Sequence, residues 1–373
     1  MKTVNVGIIG GGLMGREVAS AFARWRALVE TPVTPQLTAV ADLNSDTLSW
    51  FERIPSAKLL TTDYQELLSS ENVDVVYVAV PHHLHEQLYI DVIEAGKDLL
   101  AEKPFGIDLD AAKSIGEAAK RSSRFVRCSS EFPFFPGAFA AYKAAKSADF
   151  GRILEVRAGF LHSSDLDPDK ASNWKRNNST CGKIGVMGDL GMHVAHVPLR
   201  LGWVPFSVYA QLQKGYAERR GEPCDTWDNA TLQLWVEQED AEPFRMQWEM
   251  KRLAPGETDT WYFEVLGTDG GVRYSTKEPK TLWRFRRDQS MQLWERTDLG
   301  FQTPFPAVTG GIFEPGFPDV IQQMWCAYFT EREGLKEDEG LFSATPDEAV
   351  MTHRVFDAEL GSHASQSAIS IGR

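Results

Sequence analysis

A glycine loop near the start of the chain places the strongest constraint on its fold. Gly10-Gly11-Gly12-Leu13-Met14-Gly15 fits the pattern GxGxxG and joins an apolar run, Val4 to Ile9, to a segment with helical spacing, Gly15 to Leu28. The first glycine permits a tight turn, the second lets the backbone approach a diphosphate, and the third lets helix and strand pack closely. The helix N-terminus then favours negative charge. The residues expected around a dinucleotide diphosphate are Gly10, Gly12, Leu13 and Met14.

The first 128 residues alternate between predicted strands and helices. Val73 to Val80 is almost continuously apolar, as expected for a parallel strand that is covered on both faces. Further strands are predicted at 37–41, 98–101 and 125–128, and helices at 84–95 and 109–121. This order predicts an α/β fold with a doubly wound parallel sheet, a Rossmann domain, over residues 1–128.

After Cys128 the pattern changes, which predicts a second α/β domain over residues 129–373. Four segments around 230–236, 244–250, 261–265 and 283–285 alternate apolar and polar residues, which predicts a large, mostly antiparallel sheet with one buried face. We place Trp283 and Phe285 on that buried face. The opposite face would carry Trp235, Tyr262 and Leu282, and such an apolar face predicts a cover of helices or another subunit. Helices are also predicted over 138–148 and from Thr345 onward.

Charge and length exclude several classes of protein. The chain has 373 residues, more than one hydrophobic core usually serves, and its net charge of −13 argues against a sequence-independent nucleic-acid binder. The longest apolar stretch, Val73 to Val80, is too short to cross a bilayer, and no signal-peptide pattern follows the first apolar run. We therefore expect a cytoplasmic protein with neither a membrane nor a nucleic-acid partner. The four cysteines lack a CxxC pattern, which predicts free thiols in a reducing compartment.

An acidic residue, Asp42, ends the predicted second strand. A carboxylate at this position accepts hydrogen bonds from the ribose hydroxyls and repels a 2′-phosphate. Its separation from Gly15 exceeds the usual ~20 residues because the segment Thr31 to Pro35 lies between them. Leu43 follows, and no arginine lies immediately downstream. The sequence favours NAD over NADP; the alternative is a glycine-rich turn without a nucleotide, in which Asp42 caps a helix.

Two further positions indicate proton chemistry. Lys103 follows the strand predicted at 98–101, at the sheet edge where such folds bind ligands. Asp189 and His193 are four residues apart, so a helix starting there would place them on one face. A carboxylate beside an imidazole raises its pKa and orients it as a general base requires. Read singly, Lys103 could be a surface lysine, Asp189 a helix cap and His193 a core residue.

Together these segments resemble the glucose–fructose oxidoreductase / inositol dehydrogenase (Gfo/Idh/MocA) family, over nearly the whole chain. The matching segments are the glycine loop, Val80-Pro81-His82-His83-Leu84-His85-Glu86, Glu102-Lys103-Pro104-Phe105-Gly106, Gly188-Asp189-Leu190-Gly191-Met192-His193 and Gly267-Thr268-Asp269-Gly270. The resemblance implies a Rossmann domain and a second domain whose open sheet builds homodimers or homotetramers.

The resemblance also implies roles for individual residues. Lys103 would hydrogen-bond the reacting hydroxyl, His193 would be the general base, and Asp189 would orient the substrate and the histidine. The residues expected to line the NAD site are Pro81, His82, His85, Glu102 and Lys103. Two positions depart from the family pattern: His82 stands where an asparagine is frequent, and the connector from Glu131 to Pro136 lacks basic residues. We expect Glu131 to reach the nicotinamide or the substrate.

The expected substrates are polyols, sugars and sugar derivatives, as the resemblance implies. The segment from His162 to Arg176 contains Trp174-Lys175-Arg176, and an aromatic face beside cations suits a pyranose ring, including one that carries a carboxylate. A solvated loop is the alternative for this segment. The residues expected to contact the substrate are Lys103, Glu131, His162, Trp174, Lys175, Arg176, Asp189 and His193. The expected reaction is hydride transfer between a ring hydroxyl and NAD.

Three other functions stay open at this stage. Some members of the family oxidise a sugar transiently and so cleave a glycoside while NAD is regenerated. A metal-dependent hydrolase could use the group of His82, His83 and His85 together with His193 and His196, which have metal-ligand spacing. A protein that binds NAD without catalysis is the third alternative, and the joint presence of Lys103, Asp189 and His193 argues against it.

Overall fold

The first 128 residues form a six-stranded parallel sheet in the computed structural model, which describes residues 2–147, 150–238, 241–300, 303–335 and 340–372. The strand order is β3-β2-β1-β4-β5-β6. The strands are β1 (Thr3–Ile9), β2 (Thr34–Ala41), β3 (Leu59–Thr61), β4 (Val75–Val78), β5 (Asp98–Ala101) and β6 (Val126–Cys128). The helices of this part are α1 (Leu13–Ala23), α2 (Ser45–Leu48), α3 (Tyr64–Ser69), α4 (His85–Glu94) and α5 (Leu109–Arg121). The predicted doubly wound sheet is confirmed.

The order of these strands creates the crevice in which the site forms. The central strands β4 and β5 are buried along their whole length, as the apolar sequence of β4 requires. β1 lies between β2 and β4, so the connections leave it in opposite directions. Open α/β sheets bind ligands outside the carboxyl ends of the strands at this switch point. The glycine loop, Asp42 and Lys103 all follow strands at this edge.

The rest of the chain is built on a nine-stranded sheet in the order β16-β15-β14-β13-β7-β12-β11-β8-β17. Its strands are β7 (Ile153–Leu161), β8 (Pro205–Gln213), β11 (Asn229–Gln238), β12 (Ala241–Lys251), β13 (Thr260–Gly267), β14 (Gly270–Ser275), β15 (Thr281–Asp288), β16 (Met291–Asp298) and β17 (Ile369–Ser370). β9 (Glu218–Arg219) and β10 (Glu222–Pro223) pair separately. The helices are α6 (Pro136–Ser147), α7 (Asn178–Cys181), α8 (Val186–Arg200), α9 (Phe317–Arg332) and α10 (Pro346–Ser365). Ala148, predicted to end a helix, lies outside the described residues.

This sheet is mostly antiparallel, as predicted, and only the β7–β12 pair among its described strands is parallel. Helices α6, α8 and α10 pack on one face, where Trp248, Trp261 and Phe263 are buried. The other face is open, and Trp235 on it is 45% exposed.

The prediction of which β15 side chains face the core was wrong, because the strand turns the other set of side chains toward it. Leu282, expected on the open face, is fully buried. Arg273 of β14 pairs with Trp283, so Trp283 and Phe285 lie on the open face, with Phe285 5.5 Å from the ring of Trp294. A shift of one residue moves every side chain of a strand to the other face, and β15 carries apolar residues in both phases.

The helices near the C-terminus return to the first sheet. Trp325 of α9 lies 4.9 Å from the ring of Phe22 and 5.8 Å from that of Tyr77. Arg332 donates to Asp98 at 2.7 Å. Helix α10, with the predicted cap at Thr345, packs on α5. Within the described residues, no helix combines the length and apolar character that a bilayer span needs.

We predict that Gly191→Ala destabilises the protein while Gly361→Ala does not. Both glycines lie in helices, where alanine is favoured by up to about 1 kcal/mol. A Cβ at Gly191 would lie 2.1 Å from Cζ of Phe356, whereas one at Gly361 would meet nothing within 4 Å. Overpacking of a core costs ~1–3 kcal/mol, so urea unfolding should show a lower free energy of unfolding for Gly191→Ala only. Equal stability of the two variants would contradict the packing of α8 against α10.

Candidate active site

A cavity of about 1090 Å³ lies between the carboxyl edge of the first sheet and helix α8. Its volume exceeds the range usual for one small ligand, so it has room for a dinucleotide and a substrate together. The predicted site residues that line it are Gly10, Gly12, Leu13, Met14, Asp42, Pro81, His82, Glu102, Lys103, Glu131, His162, Trp174, Lys175, Asp189 and His193. Folding therefore brings together most of the residues selected from the sequence.

The glycine loop has the shape that a diphosphate requires. A Cβ at Gly10 would lie 2.2 Å from the carbonyl oxygen of Ala79, and one at Gly15 would lie 2.3 Å from that of Gly10. At Gly12 a Cβ would meet nothing within 4 Å, so the space beside this residue is open. Gly12 also starts α1 without a side-chain cap, which leaves backbone N–H groups for an anion. The residues present fit the diphosphate of NAD.

Asp42 lies at the same end of the cavity, beyond the glycine loop. Its Oδ2 accepts a hydrogen bond from the Gly11 N–H at 2.8 Å, and its Oδ1 accepts one from the Asn44 N–H at 2.8 Å. These contacts hold the carboxylate against the loop. Leu13 and Leu43, which also line the cavity, are among the most exposed apolar side chains of the protein. Apolar surface beside a fixed carboxylate suits an adenosine whose ribose hydroxyls face Asp42.

Asp189 is a buried carboxylate held by three cations. Lys103 Nζ donates to its backbone oxygen at 2.7 Å and to Oδ1 at 3.1 Å, and Lys175 Nζ donates to Oδ1 at 2.9 Å. The guanidinium of Arg252 lies 3.2 Å from Oδ2. Burial opposes the ionisation of Asp189, but Lys175, Lys103 and Arg252 outweigh it and hold its pKa well below the usual range.

Lys103 stays protonated at neutral pH. Burial lowers its pKa, but the carboxylates of Asp189, Glu102 and Glu131 more than compensate, so the pKa is raised above the ordinary lysine value. Lys175 differs, because burial lowers its pKa more than Asp189 restores it. Lys103 can therefore donate a hydrogen bond to a ligand but is a poor proton acceptor.

His193 is a buried imidazole that lines the cavity. Its ring lies 5.1 Å from that of Phe132 and 5.5 Å from that of Phe160, and it is almost fully buried. Burial, reinforced by the charge of Lys103, holds its pKa well below the usual histidine value, so it is neutral at pH 7. Asp189 raises this pKa, as expected, but burial and the charge of Lys103 outweigh its effect.

Two glutamates of the cavity differ in their partners. Glu102 accepts hydrogen bonds from the Tyr77 hydroxyl at 2.5 Å and from the Lys103 N–H at 3.1 Å. Glu131 Oε2 lies 3.8 Å from Nδ1 of His193. Burial, followed by the charge of Glu102, raises the pKa of Glu131 to about 7. Glu131 therefore changes charge in the neutral pH range.

The structure does not bring two of the predicted residues to the cavity wall. The ring nitrogens of His85 lie 2.8 Å from the carbonyl oxygen of Pro104 and 2.9 Å from that of Val80, so His85 joins the loops behind the site. Arg176 is buried in ion pairs with Asp165 and Asp228. These contacts give both residues structural roles.

Arg252 belongs to this site but was not among the residues predicted from the sequence. An arginine directly after a strand usually faces solvent, but here the side chain is fully buried against Asp189. The one available signal was the alternation of β12, in which Met250 lies on the buried face and Arg252, directly after the strand, continues the same phase. His82 lines the cavity, with Nδ1 3.0 Å from the carbonyl oxygen of Cys181 and its ring against Trp174.

Comparison with known proteins agrees with this arrangement. Residues 4–130 match the oxidoreductase family described as having an NAD-binding Rossmann fold, and residues 140–273 match the GFO/IDH/MocA C-terminal domain. Levoglucosan dehydrogenase of Pseudarthrobacter phenanthrenivorans is 27% identical over 324 residues, which cover 80% of each chain. A structure of levoglucosan dehydrogenase with NADH and L-sorbose superposes with a TM-score of 0.88 at 23% identity, covering 100% of both chains. Glycosyl hydrolase family 109 protein 1 of Bacteroides thetaiotaomicron is 26% identical over 52% of this chain and 42% of its own.

We predict that Asp189→Asn lowers the free energy of unfolding by ~3 kcal/mol at pH 7, since it leaves buried cations without their counter-charge. The pKa of Asp189 is depressed in the folded protein. Its contribution is therefore complete above the unfolded pKa of about 4 and is lost as the pH falls through the folded value. Urea unfolding from pH 7 to 3 should show a difference from wild type that shrinks only below pH 4.

The control is Asp357→Asn, which changes an exposed aspartate in the middle of α10 and should leave stability within ~0.5 kcal/mol of wild type. A stability of Asp189→Asn equal to that of this control at pH 7 would contradict the three-cation arrangement.

Proposed function

Because the chain belongs to the Gfo/Idh/MocA family of NAD-dependent oxidoreductases, we propose that it transfers a hydride between NAD and a ring hydroxyl of a sugar, sugar derivative or polyol. The observation that carries this proposal is the meeting of Lys103 and His193 in the same cavity as the glycine loop. Levoglucosan dehydrogenase, similar over 80% of the chain, supports a carbohydrate substrate.

Bound NAD supplies a nicotinamide carbon that accepts the hydride. The ammonium of Lys103 donates a hydrogen bond to the substrate oxygen and stabilises the negative charge that develops there. His193, neutral because its pKa is depressed, takes the hydroxyl proton. Asp189 fixes the position of Lys103 through its backbone and side-chain oxygens. In the reverse direction His193 returns the proton to the carbonyl oxygen.

The other wall of the substrate end favours a sugar ring, including an acidic one. Trp174 and His162 line the cavity here, and an indole ring stacks well on the apolar face of a pyranose. Lys175 Nζ lies 5.7 Å from the centre of the Trp174 ring, and 35% of its side chain is exposed. Since Lys175 shares Asp189 with Lys103 and Arg252, we propose that it can also bind a substrate carboxylate.

Glycoside cleavage with transient oxidation is the second candidate. The observation that favours it is the similarity to the family 109 protein and to an alpha-N-acetylgalactosaminidase of Shewanella oneidensis. These relatives match 52% and 43% of this chain, whereas levoglucosan dehydrogenase matches 80%. Net oxidation is therefore the preferred proposal.

We also propose that the open face of the nine-stranded sheet forms a homo-oligomer. Trp235 is 45% exposed there and Trp294 37% exposed. The same face carries charges that are paired within the chain, such as Arg157 with Glu264 and Lys251 with Glu249. Large aromatic side chains between paired charges are typical of subunit interfaces.

We predict that Lys103→Met and His193→Asn each lower kcat by 10²–10⁴-fold, the usual contribution of a group that transfers or stabilises a proton. NADH affinity, measured by fluorescence, should change little. Turnover is followed by NADH absorbance on a panel of neutral sugars, polyols, uronic acids and nitrophenyl glycosides. The controls are Lys183→Met and His83→Asn, both of exposed residues.

Unchanged turnover in both site variants would reject the proposed function. Release of nitrophenol without accumulation of NADH, abolished by the same variants, would select glycoside cleavage instead.

We predict that Trp235→Asp shifts the protein toward a monomer in sedimentation velocity, because it places a charge in the apolar part of the interface. Phe313→Asp, which changes an exposed aromatic residue outside this sheet, is the control and should sediment as wild type. A wild-type protein that is monomeric at micromolar concentration would reject the oligomer.

A further inference from the structure

We propose that Glu131 is the positioning residue for His193: its carboxylate holds the Nδ1–H of the imidazole, so that Nε2 presents a lone pair to the substrate hydroxyl. This inference rests on the proposed function, because it concerns the residue that accepts the proton in that reaction. It assigns to Glu131 a role beyond contact with the substrate or the nicotinamide.

The geometry around His193 leaves one buried nitrogen without a partner. Nδ1 is inaccessible to solvent and forms no hydrogen bond within the described part of the chain. Glu131 Oε2 lies 3.8 Å from it, and Glu131 is 4% exposed. A buried N–H without an acceptor costs ~1–3 kcal/mol, which favours closure of this gap. Catalytic hydrogen bonds are often long without a ligand and tighten when the substrate binds.

The carboxylates of Asp189 and Glu102, which also line the cavity, already have other partners. Asp189 is held by Lys103, Lys175 and Arg252. Glu102 accepts from the Tyr77 hydroxyl and from a backbone N–H. Among the described residues, the ion pair that the structure gives Glu131 is the one to His193.

Two aromatic rings, one from the connector and one from β7, fix the direction of this contact. Glu131 precedes the short turn Phe132–Phe134, and the Phe132 ring meets the imidazole edge to face at 68°. Phe160 meets it at 90° from the second sheet. The imidazole is therefore confined between two rings, and Nδ1 is turned toward the backbone segment that carries Glu131.

Charge balance explains why a carboxylate is needed at this point. As the C–H electron pair and its hydrogen leave as hydride, the hydroxyl proton passes to Nε2 and a carbonyl forms. The resulting imidazolium is buried near Lys103, and ionised Glu131 offsets its charge. Burial raises the pKa of Glu131 to about 7, so this support is lost in acid. The titratable groups that face the pair are Tyr77, Glu102, Lys103, Cys128, Lys175, Asp189 and His196.

The test combines two variants with a measurement that does not require turnover. Glu131→Met removes charge and acceptor, and Glu131→Gln keeps an acceptor oxygen but removes the charge. In ¹⁵N NMR of the free enzyme, wild-type His193 should carry its proton on Nδ1, and Glu131→Met should shift most of it to Nε2. We expect kcat to fall about 100-fold in Glu131→Met and about tenfold in Glu131→Gln, with KM within about threefold.

The pH profile supplies a second signature. Wild-type kcat should fall below pH 7 and level off about tenfold lower, near the value of Glu131→Gln, because protonation removes the same charge; this limb should disappear in both variants. Glu117→Met, an exposed substitution on α5, is the control. If Glu131→Met does not fold, Glu131→Gln alone decides through its pH profile.

The outcomes separate this inference from the proposed function. Wild-type tautomer and pH profile in the Glu131 variants, together with an inactive His193→Asn, would overturn the inference and leave the function intact. No turnover of any carbohydrate by wild type, or full activity of His193→Asn, would reject the function, while the NMR result would still report on the Glu131–His193 contact.

Discussion

The carboxylate of Asp189 is the interaction on which the rest of the site depends. Its partners come from three separate segments: Lys103 follows β5 of the first sheet, Lys175 lies in the segment before α7, and Arg252 follows β12 of the second sheet. A buried charge that loses its partner costs several kcal/mol, so each cation must stay in place. The same contacts therefore join the two sheets and fix the amine that faces the cavity.

In the function that we propose, this charge cluster also sets which group donates a hydrogen bond and which group accepts the proton. A carboxylate within 3.1 Å keeps Lys103 protonated, while burial and that same ammonium keep His193 neutral. Two groups whose pKa values are pushed apart by their surroundings can serve as donor and acceptor at one pH. The helical spacing of Asp189 and His193 matters here because it places the charge cluster and the acceptor on one rigid element.

Short sequence patterns correctly predicted the elements whose structure depends on residues close together in the chain. The apolar run of β4, the glycine loop and the capping sequence at Thr345 each fix one element, and each was confirmed. The prediction that Leu282 lies on the open face was wrong because β15 has apolar residues in both phases of its alternation. Only the register of β15 with β14 decides which set faces the core. The packing of α9 on the first sheet and the burial of Arg252 depend on contacts distant in sequence, which no local pattern encodes.

Helix α8 shows how closely the catalytic geometry depends on packing. Every residue of the helix except Arg200 is buried, and it begins at Gly185, whose φ of 51° suits glycine. A Cβ at Gly188 would lie 2.9 Å from Ile184 and 3.4 Å from Pro104, so the helix approaches the Lys103-Pro104 turn closely. Because the helix and the turn lie this close together, Lys103 Nζ can donate a hydrogen bond to the Asp189 backbone oxygen at 2.7 Å. The glycines of this segment therefore remove side chains where helix α8 and neighbouring parts of the protein must meet.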